Sequence, residues 1–200
     1  IERNAELSGS IHTKGVMLLT AYLAHVFAQK EQIPLSATLV FEQSYHEVDG
    51  DSASLAELCC LLSALANAPI EQGLAVTGAI DQFGNVQAIG GINEKIIGYF
   101  TICQERGLTG KQGIILPYSN RLNLHLPPHI REAVANEQFH IYTVQHVSDA
   151  VQLLMGMPCG TPESTDKHSI FGRIQQRLAE AQALDHHDEP SLLRRLLRKS

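Results

Sequence analysis

Apolar residues recur at Val16, Leu19, Leu23 and Val26/Phe27 along the stretch from His12 to Lys30, a helical period that Gln32, Ile33 and Pro34 interrupt. The run LSATLVFE that follows, at about 35–42, reads as a strand. LAELCCLLSALANA predicts a helix over about 53–67 that is apolar on most of its faces and therefore buried, with Pro69 and Gly73 marking its exit. LAVTGAI, DQFGN and VQAIG together read as a β-hairpin turning at Gly84-Asn85. GGINEKIIGYFTICQERG predicts a further helix, opened by Gly90-Gly91 and closed by Gly107. GIIL and FHIYTV are short strands, and a helix near 147–155 ends this part of the chain. Such alternation predicts an α/β sandwich around a mixed sheet, with no internal repeat.

After Met157 the composition changes to PCGTPESTDKH, which reads as a linker. SIFGRIQQRLAEAQ then places Ile170, Ile174 and Leu178 on one helical face, and DHHDEP precedes a basic end, LLRRLLRKS. The expected division is a domain over residues 1–157 and a linker with a helical tail over 158–200, the tail docking on its own core or on a neighbour. With 200 residues and 44% hydrophobic content, one substantial core is expected. A formal charge of −6 and a pI near 5.9 argue against a surface built to neutralise phosphates, so nucleic acid is not an expected partner.

Cys59, Cys60, Cys103 and Cys159 show no C-x-x-C spacing, and three of them fall in apolar helical patterns, so reduced core thiols in a cytoplasmic setting are expected. The ten histidines lack metal-ligand spacing, and no metal is expected. No apolar run approaches the ~18 residues of a membrane span, and IERNAELSGS has neither part of a secretory leader; no membrane partner is expected. A first residue other than Met suggests a piece of a longer chain.

Chemistry concentrates where the predicted strand hands over to the helix, in EVDGDSAS, Glu47 to Ser54. Ser54 with Glu57 fits an S-x-x-E capping box, which leaves Ser52 without a structural reason. A serine becomes a useful nucleophile when a base can take its proton, and a lysine serves once its pKa is depressed from the usual ~10.4. Lys95 is a candidate, placed in the first turn of a helix beside Ile92, Ile96 and Ile97, where macrodipole and apolar surroundings both favour a neutral amine. By spacing alone, a lysine at a helix start is more often a solvated surface charge. Small neighbours, Gly50 and Ala53, let the backbone N–H groups of Gly50, Asp51, Ser52 and Ala53 approach a substrate oxyanion. Two other serine arrangements are present: Ser164-x-x-Lys167 in the polar linker, and a serine paired with His46 or His146 without a G-x-S-x-G elbow.

The ordered set Asp49-Gly50-Asp51-Ser52-Ala53-Ser54, Thr77-Gly78 and Gly90-Gly91-Ile92-Asn93-Glu94-Lys95, with Ser52 and Lys95 43 residues apart, resembles the proteolytic domain of Lon-type ATP-dependent proteases. The resemblance runs from GSIHTKGVMLLTAYLA through IILPYSN, about residues 8–155. It implies a compact α/β, mixed-sheet domain similar to ribosomal protein S5 domain 2, and a Ser-Lys dyad. By position it makes Ser52 the nucleophile, Lys95 the general base and Thr77 the residue that orients the lysine. It further implies unfolded protein substrates, a homo-hexameric ring with an inner chamber, and an upstream ATPase module. ATP and Mg belong to that module, since no G-x-x-x-x-G-K-[ST] occurs here and no cofactor is expected in this chain. Asp51 and Ser54 replace the proline and last glycine of the common D-G-P-S-A-G signature, as in the B-type or a related subgroup, and Asn93 stands where many relatives carry a second lysine. If the Asp51 carboxylate reached Lys95 it would hold the amine protonated, and a poorly active resting state would be expected. Two rival functions remain at this point, a non-catalytic ring-forming module and a small-molecule acyl hydrolase.

Overall fold

GIIL is apolar without alternation because it forms a central strand covered on both sides. The computed structural model describes residues 10–27, 36–41 and 48–188. Its strands are β1 (Leu74–Val76), β2 (Ala79–Ile80), β3 (Val86–Gln87), β4 (Gly113–Pro117) and β5 (His140–Val144). Its helices are α1 (Ser10–Phe27), α2 (Ser54–Ala66), α3 (Ile92–Arg106), α4 (Pro128–Ala135), α5 (Val147–Met155) and α6 (Ile170–Asp188), with a 3-10 turn at Tyr118–Asn123.

One sheet is parallel, in the order β1-β4-β5, with Ile115 opposite Val76 on one side and Tyr142 on the other. Successive β4 side chains point to opposite faces. Ile115 therefore joins a core built from α1, α2, α5 and α6, while Ile114 and Leu116 join a second core with Ile96, Phe100, Ile130 and Phe139. The result is three layers, helix, sheet, helix.

The expected sandwich is present, but its mixed sheet divides in two. Among the described residues, antiparallel pairing occurs in the β2-β3 hairpin and in an isolated bridge between Asn85 and His146, where Val86 N–H donates to the Gln145 carbonyl at 2.8 Å. LAVTGAI is accordingly two strands, because Thr77-Gly78 leaves the β1 ladder and turns toward the start of α2. Residues 36–41, within the strand expected at 35–42, carry no ladder; Leu35 and Glu42 lie outside the described residues. Alternation selects residues able to sit in a sheet, whereas a strand also needs a partner edge. Helix α4, which opens at Pro128 directly after Pro127, was not among the expected elements. Proline is compatible with a first helical turn, and Ile130 and Ala133 bury the inner face.

The hairpin turn lies where expected. Asp81 accepts from Phe83 N, Asn85 N and Asn85 Nδ2 at 2.8–2.9 Å, and Gly84 adopts φ +87°. A Cβ on Gly84 would lie 2.5 Å from Tyr22 Cε2 and 2.7 Å from His146 Nε2. Left-handed strain and overpacking act together here, so Gly84→Ala is expected to destabilise by roughly 2–4 kcal/mol, read from denaturant unfolding.

The apolar face of α6 docks on its own chain, with Ile170, Phe171, Ile174 and Leu178 buried in the α1-α2-α5 core. Arg177 Nη1 donates to the Ala64 and Leu65 carbonyls at 2.8 and 3.3 Å. Cys59, Cys103 and Cys159 are buried, and burial pushes the Cys59 and Cys159 thiols up to about 12. Cys60, expected among the core thiols, instead faces solvent, one residue round the helix from Cys59. No helix among the described residues is long and apolar enough to cross a membrane.

Candidate active site

The turn before α2 is built by its own backbone and by the β1-β2 connection. Gly50 takes φ +97°, a left-handed conformation that suits glycine and swings the chain toward Ser52. Thr77-Gly78 grips the turn from the sheet side: Gly78 N donates to the Ser52 carbonyl at 2.8 Å, and Leu55 N donates to the Gly78 carbonyl at 3.1 Å. Ser54 is buried, its Oγ donating to the Asp51 carbonyl at 2.8 Å and accepting from Ile80 N at 3.1 Å. The expected capping box is therefore not formed. Ala53, in helical conformation, is the N-cap without a side-chain bond, and buried Glu57 turns to His12 Nε2 on α1 at 2.6 Å. A long-range partner in the core outcompetes the local cap because an unpaired buried carboxylate is costly. The Ser52 and Ala53 N–H groups make no hydrogen bond among the described residues.

Lys95 is delivered by α3, whose Ile92, Ile96, Phe100 and Cys103 stripe anchors the helix in the second core. Its Nζ lies 2.9 Å from Ser52 Oγ and 3.3 Å from Thr77 Oγ1. Thr77, itself buried, donates its hydroxyl to the Ser52 carbonyl at 3.4 Å. Ser52, Thr77 and Lys95, separated in sequence, thus meet around one amine. Partial burial holds the Lys95 pKa below the ordinary lysine value, although the residue keeps an exposed flank.

Two asparagines that were assigned no role from sequence hold the entry to α3. Buried Asn120 pairs with both backbone groups of Ile89, accepting from N at 3.0 Å and donating to O at 2.9 Å. Asn93 donates to the Asn123 carbonyl at 3.0 Å and accepts from His125 N at 2.8 Å. Asn120 ends the IILPYSN stretch that entered the family resemblance, yet nothing local announces its partner 31 residues away.

Asp51 does not pair with Lys95. Its Oδ2 meets Lys14 Nζ on α1 at 3.2 Å, so the carboxylate expected to trap the amine is occupied elsewhere. Two of the three competing serine arrangements fall on described residues, and there each serine has a local role. His146 does meet a serine, its Nδ1 lying 2.9 Å from Ser148 Oγ, but this is the cap of α5: the same nitrogen accepts from Ser148 N at 3.1 Å, and Nε2 faces the Phe83 carbonyl at 3.1 Å. His46 lies outside the described residues. Ser164 Oγ faces Ser169 Oγ at 3.1 Å, and Lys167 is exposed. Among the described residues no cluster of three or more potential metal ligands occurs.

Fold and site together define an α/β domain that presents a serine hydroxyl to a partly buried lysine amine at a helix start. The model of the Lon protease (S16) C-terminal proteolytic domain matches residues 46–157, and the chain belongs to that family. It is 50% identical over 181 residues to a protein of Escherichia coli (strain K12) named as a Lon protease homolog, covering 90% of this chain and 30% of that protein. A protein of Haemophilus influenzae so named is 49% identical over 185 residues, 92% of this chain and 31% of its own length. The archaeal Lon protease of Methanocaldococcus jannaschii is 30% identical over 161 residues, 76% of this chain and 22% of that protein. The chain spans about a third or less of the length of these relatives.

Proposed function

We propose that this chain is the serine endopeptidase domain of an ATP-dependent Lon-like protease, cleaving unfolded protein segments with Ser52 and Lys95 as a catalytic dyad. The observation that carries the reading is the 2.9 Å contact between Lys95 Nζ and Ser52 Oγ, made by an amine whose burial disfavours its charge. Neutral Lys95 takes the Ser52 proton as Oγ attacks the peptide carbonyl carbon. The free amides of Ser52 and Ala53, at the start of α2, receive the oxyanion, with Gly50 and Asp51 shaping the turn. Collapse breaks the C–N bond while the Lys95 ammonium returns the proton to the leaving amine. Water then attacks the acyl-enzyme, giving its proton to Lys95, which passes it to the departing Ser52 Oγ. Thr77, accepting from Nζ and donating to the Ser52 carbonyl, keeps the amine aimed at the hydroxyl.

Membership of the family supports the rest of the proposal. An ATPase module carrying ATP and Mg feeds substrate, six copies close a cytoplasmic ring around the sites, and the core follows the ribosomal protein S5 domain 2-like plan, with residues 1–157 as the proteolytic domain and 158–200 as a tail whose helix α6 completes its core.

The test is cleavage of a flexible fluorogenic peptide by the 200-residue chain, with an ester of similar size beside it. Peptide turnover is expected; turnover of the ester alone would point to a small-molecule acyl hydrolase. The pH profile has a definite sign. A base must be neutral, so kcat/KM should be lost as pH falls through the Lys95 pKa and regained as it rises, with the midpoint below the ~10.4 of a free lysine. A midpoint at or above that value would contradict the assignment of Lys95 as base.

A further inference from the structure

The first turns of α1 lie against the Ser52 turn. Ile11 N donates to Asp49 Oδ1 at 3.3 Å, His12 Nε2 meets Glu57 Oε1 at 2.6 Å, and Lys14 Nζ meets Asp51 Oδ2 at 3.2 Å. Gly15 allows this approach: a Cβ there would lie 3.3 Å from Ser54 Cβ and 3.4 Å from Asp51 Cα. Four residues of one helix end thus engage residues 49–57, and one of them is a cation on the acid that immediately precedes the nucleophile.

An acid in that position is a hazard to the chemistry proposed for the site. Lys95 Nζ sits on Ser52 Oγ, one residue from Asp51. A carboxylate that moved within ~4–6 Å of the amine would favour the ammonium and raise its pKa by about 1–3 units. The charged and titratable groups on the turn before α2 and on the N-terminal ends of the helices that meet there are few. Asp49 and Asp51 lie on the nucleophile turn, His12 and Lys14 on α1, Glu57 on α2, and Glu94 on α3. Tyr118, Arg121 and His125 follow β4, on the loop tied to Asn93. Asp49 is engaged by a backbone amide and Glu57 by His12, while exposed Glu94 follows Asn93 on the helix. Asp51 is the acid whose alternative partners are two lysines, Lys14 and Lys95.

We infer that Lys14 is a positioning residue for the peptidase reaction: by holding the Asp51 carboxylate against α1, it keeps that acid from pairing with Lys95 and leaves the amine free to act as base. The inference rests on the dyad reading above and deepens it. Lys14 touches neither substrate nor nucleophile; it acts through Asp51. The Lys14 and Asp51 side chains are 64% and 28% exposed, so removing either charge is not expected to unfold the chain.

The experiment uses the 200-residue chain as parent, Lys14→Met, Lys14→Arg, Asp51→Asn and the double variant Lys14→Met/Asp51→Asn. Two readouts are taken across pH: kcat/KM on a fluorogenic peptide, and the rate at which trace isotopic acetic anhydride labels Lys95, quantified by mass spectrometry. For Lys14→Met, the labelling midpoint of Lys95 should rise by about one unit or more, and kcat/KM near neutrality should fall about tenfold and recover at alkaline pH. Lys14→Arg should keep the parent profile. Asp51→Asn and the double variant should both label as the parent does, since without the carboxylate there is nothing to hold away. An unchanged midpoint in Lys14→Met, or a shift that persists in the double variant, would overturn the inference. Labelling decides it even if no form cleaves peptide, an outcome that would instead sink the proposed peptidase function.

Discussion

Lys95→Met is expected to abolish peptide cleavage, lowering kcat/KM by at least about 10³-fold at every pH, with no fall in folding stability. Methionine matches the length and apolar stem of lysine but has no lone pair able to accept the Ser52 proton. Lys95→Arg should be equally silent although it keeps a positive charge, because guanidinium does not deprotonate in proteins. Ser52→Ala should match both. Combining it with Lys95→Met should cost nothing further, since groups that act as one unit fail together. The measurement is fluorogenic peptide turnover by purified variants, with circular dichroism confirming that each is folded. Cleavage retained by Lys95→Arg would show that the lysine contributes charge rather than a proton acceptor, and the 2.9 Å contact would lose its assigned role. A parent as silent as its variants, with an intact oligomer, would favour the non-catalytic ring module.

Truncation after residue 157 is expected to leave a chain without a cooperative melt. The reason lies in what α6 covers. Ile170, Phe171 and Ile174 are 0–4% exposed and Leu178 is 9% exposed, all within the core that also holds Leu58, Leu61 and Leu62 of α2. At about 1.5–3 kcal/mol for each buried side chain, their removal forfeits about 6–12 kcal/mol as an upper bound, comparable with the ~5–15 kcal/mol that holds a whole domain. The chain leading into α6 is also tied in, since the Pro158 and Cys159 carbonyls accept from Ile170 N and Phe171 N at 3.0 and 2.8 Å. Arg177 meets the Ala64 and Leu65 carbonyls, two of the orphan acceptors at the end of α2. Because α2 begins at the Ser52 turn, losing its support at one end should loosen the candidate site at the other. Thermal unfolding followed by circular dichroism provides the check. A truncated chain that melts cooperatively within a few degrees of the parent would make α6 an appendage rather than part of the core.

How legible this molecule is depends on the range over which each feature is decided. The buried character of α2, the Gly107 end of α3, the Gly84-Asn85 hairpin and the short strand at GIIL were all visible, because periodicity and turn chemistry act within a few residues. The expected strand at 35–42 and the hidden helix α4 failed at the same boundary: a strand needs an edge elsewhere in the chain, and a helix behind Pro127-Pro128 needs a core to receive Ile130. At the site, Ser52 and Lys95 could be named in advance from local chemistry, and Thr77 only through the resemblance to Lon-type proteases. Their convergence on one amine could not be derived from spacing, which left a solvated lysine as the commoner case.

The sequence by itself determined five of the six α-helices, α1, α2, α3, α5 and α6, the short apolar strand at GIIL, and which serine and lysine were chemically worth joining. These are local matters of side-chain pattern and backbone freedom. Only the tertiary structure decided how the charges are shared out. Glu57 leaves a ready capping box for His12, and Asp51 goes to Lys14 rather than to Lys95. Lys95 itself is partly desolvated against the Ser52 hydroxyl. Each of these is a competition between partners 37 to 45 residues apart in the chain. Coulombic and desolvation energies depend on distance and burial in space, and those quantities exist only once α1, α2 and α3 have packed.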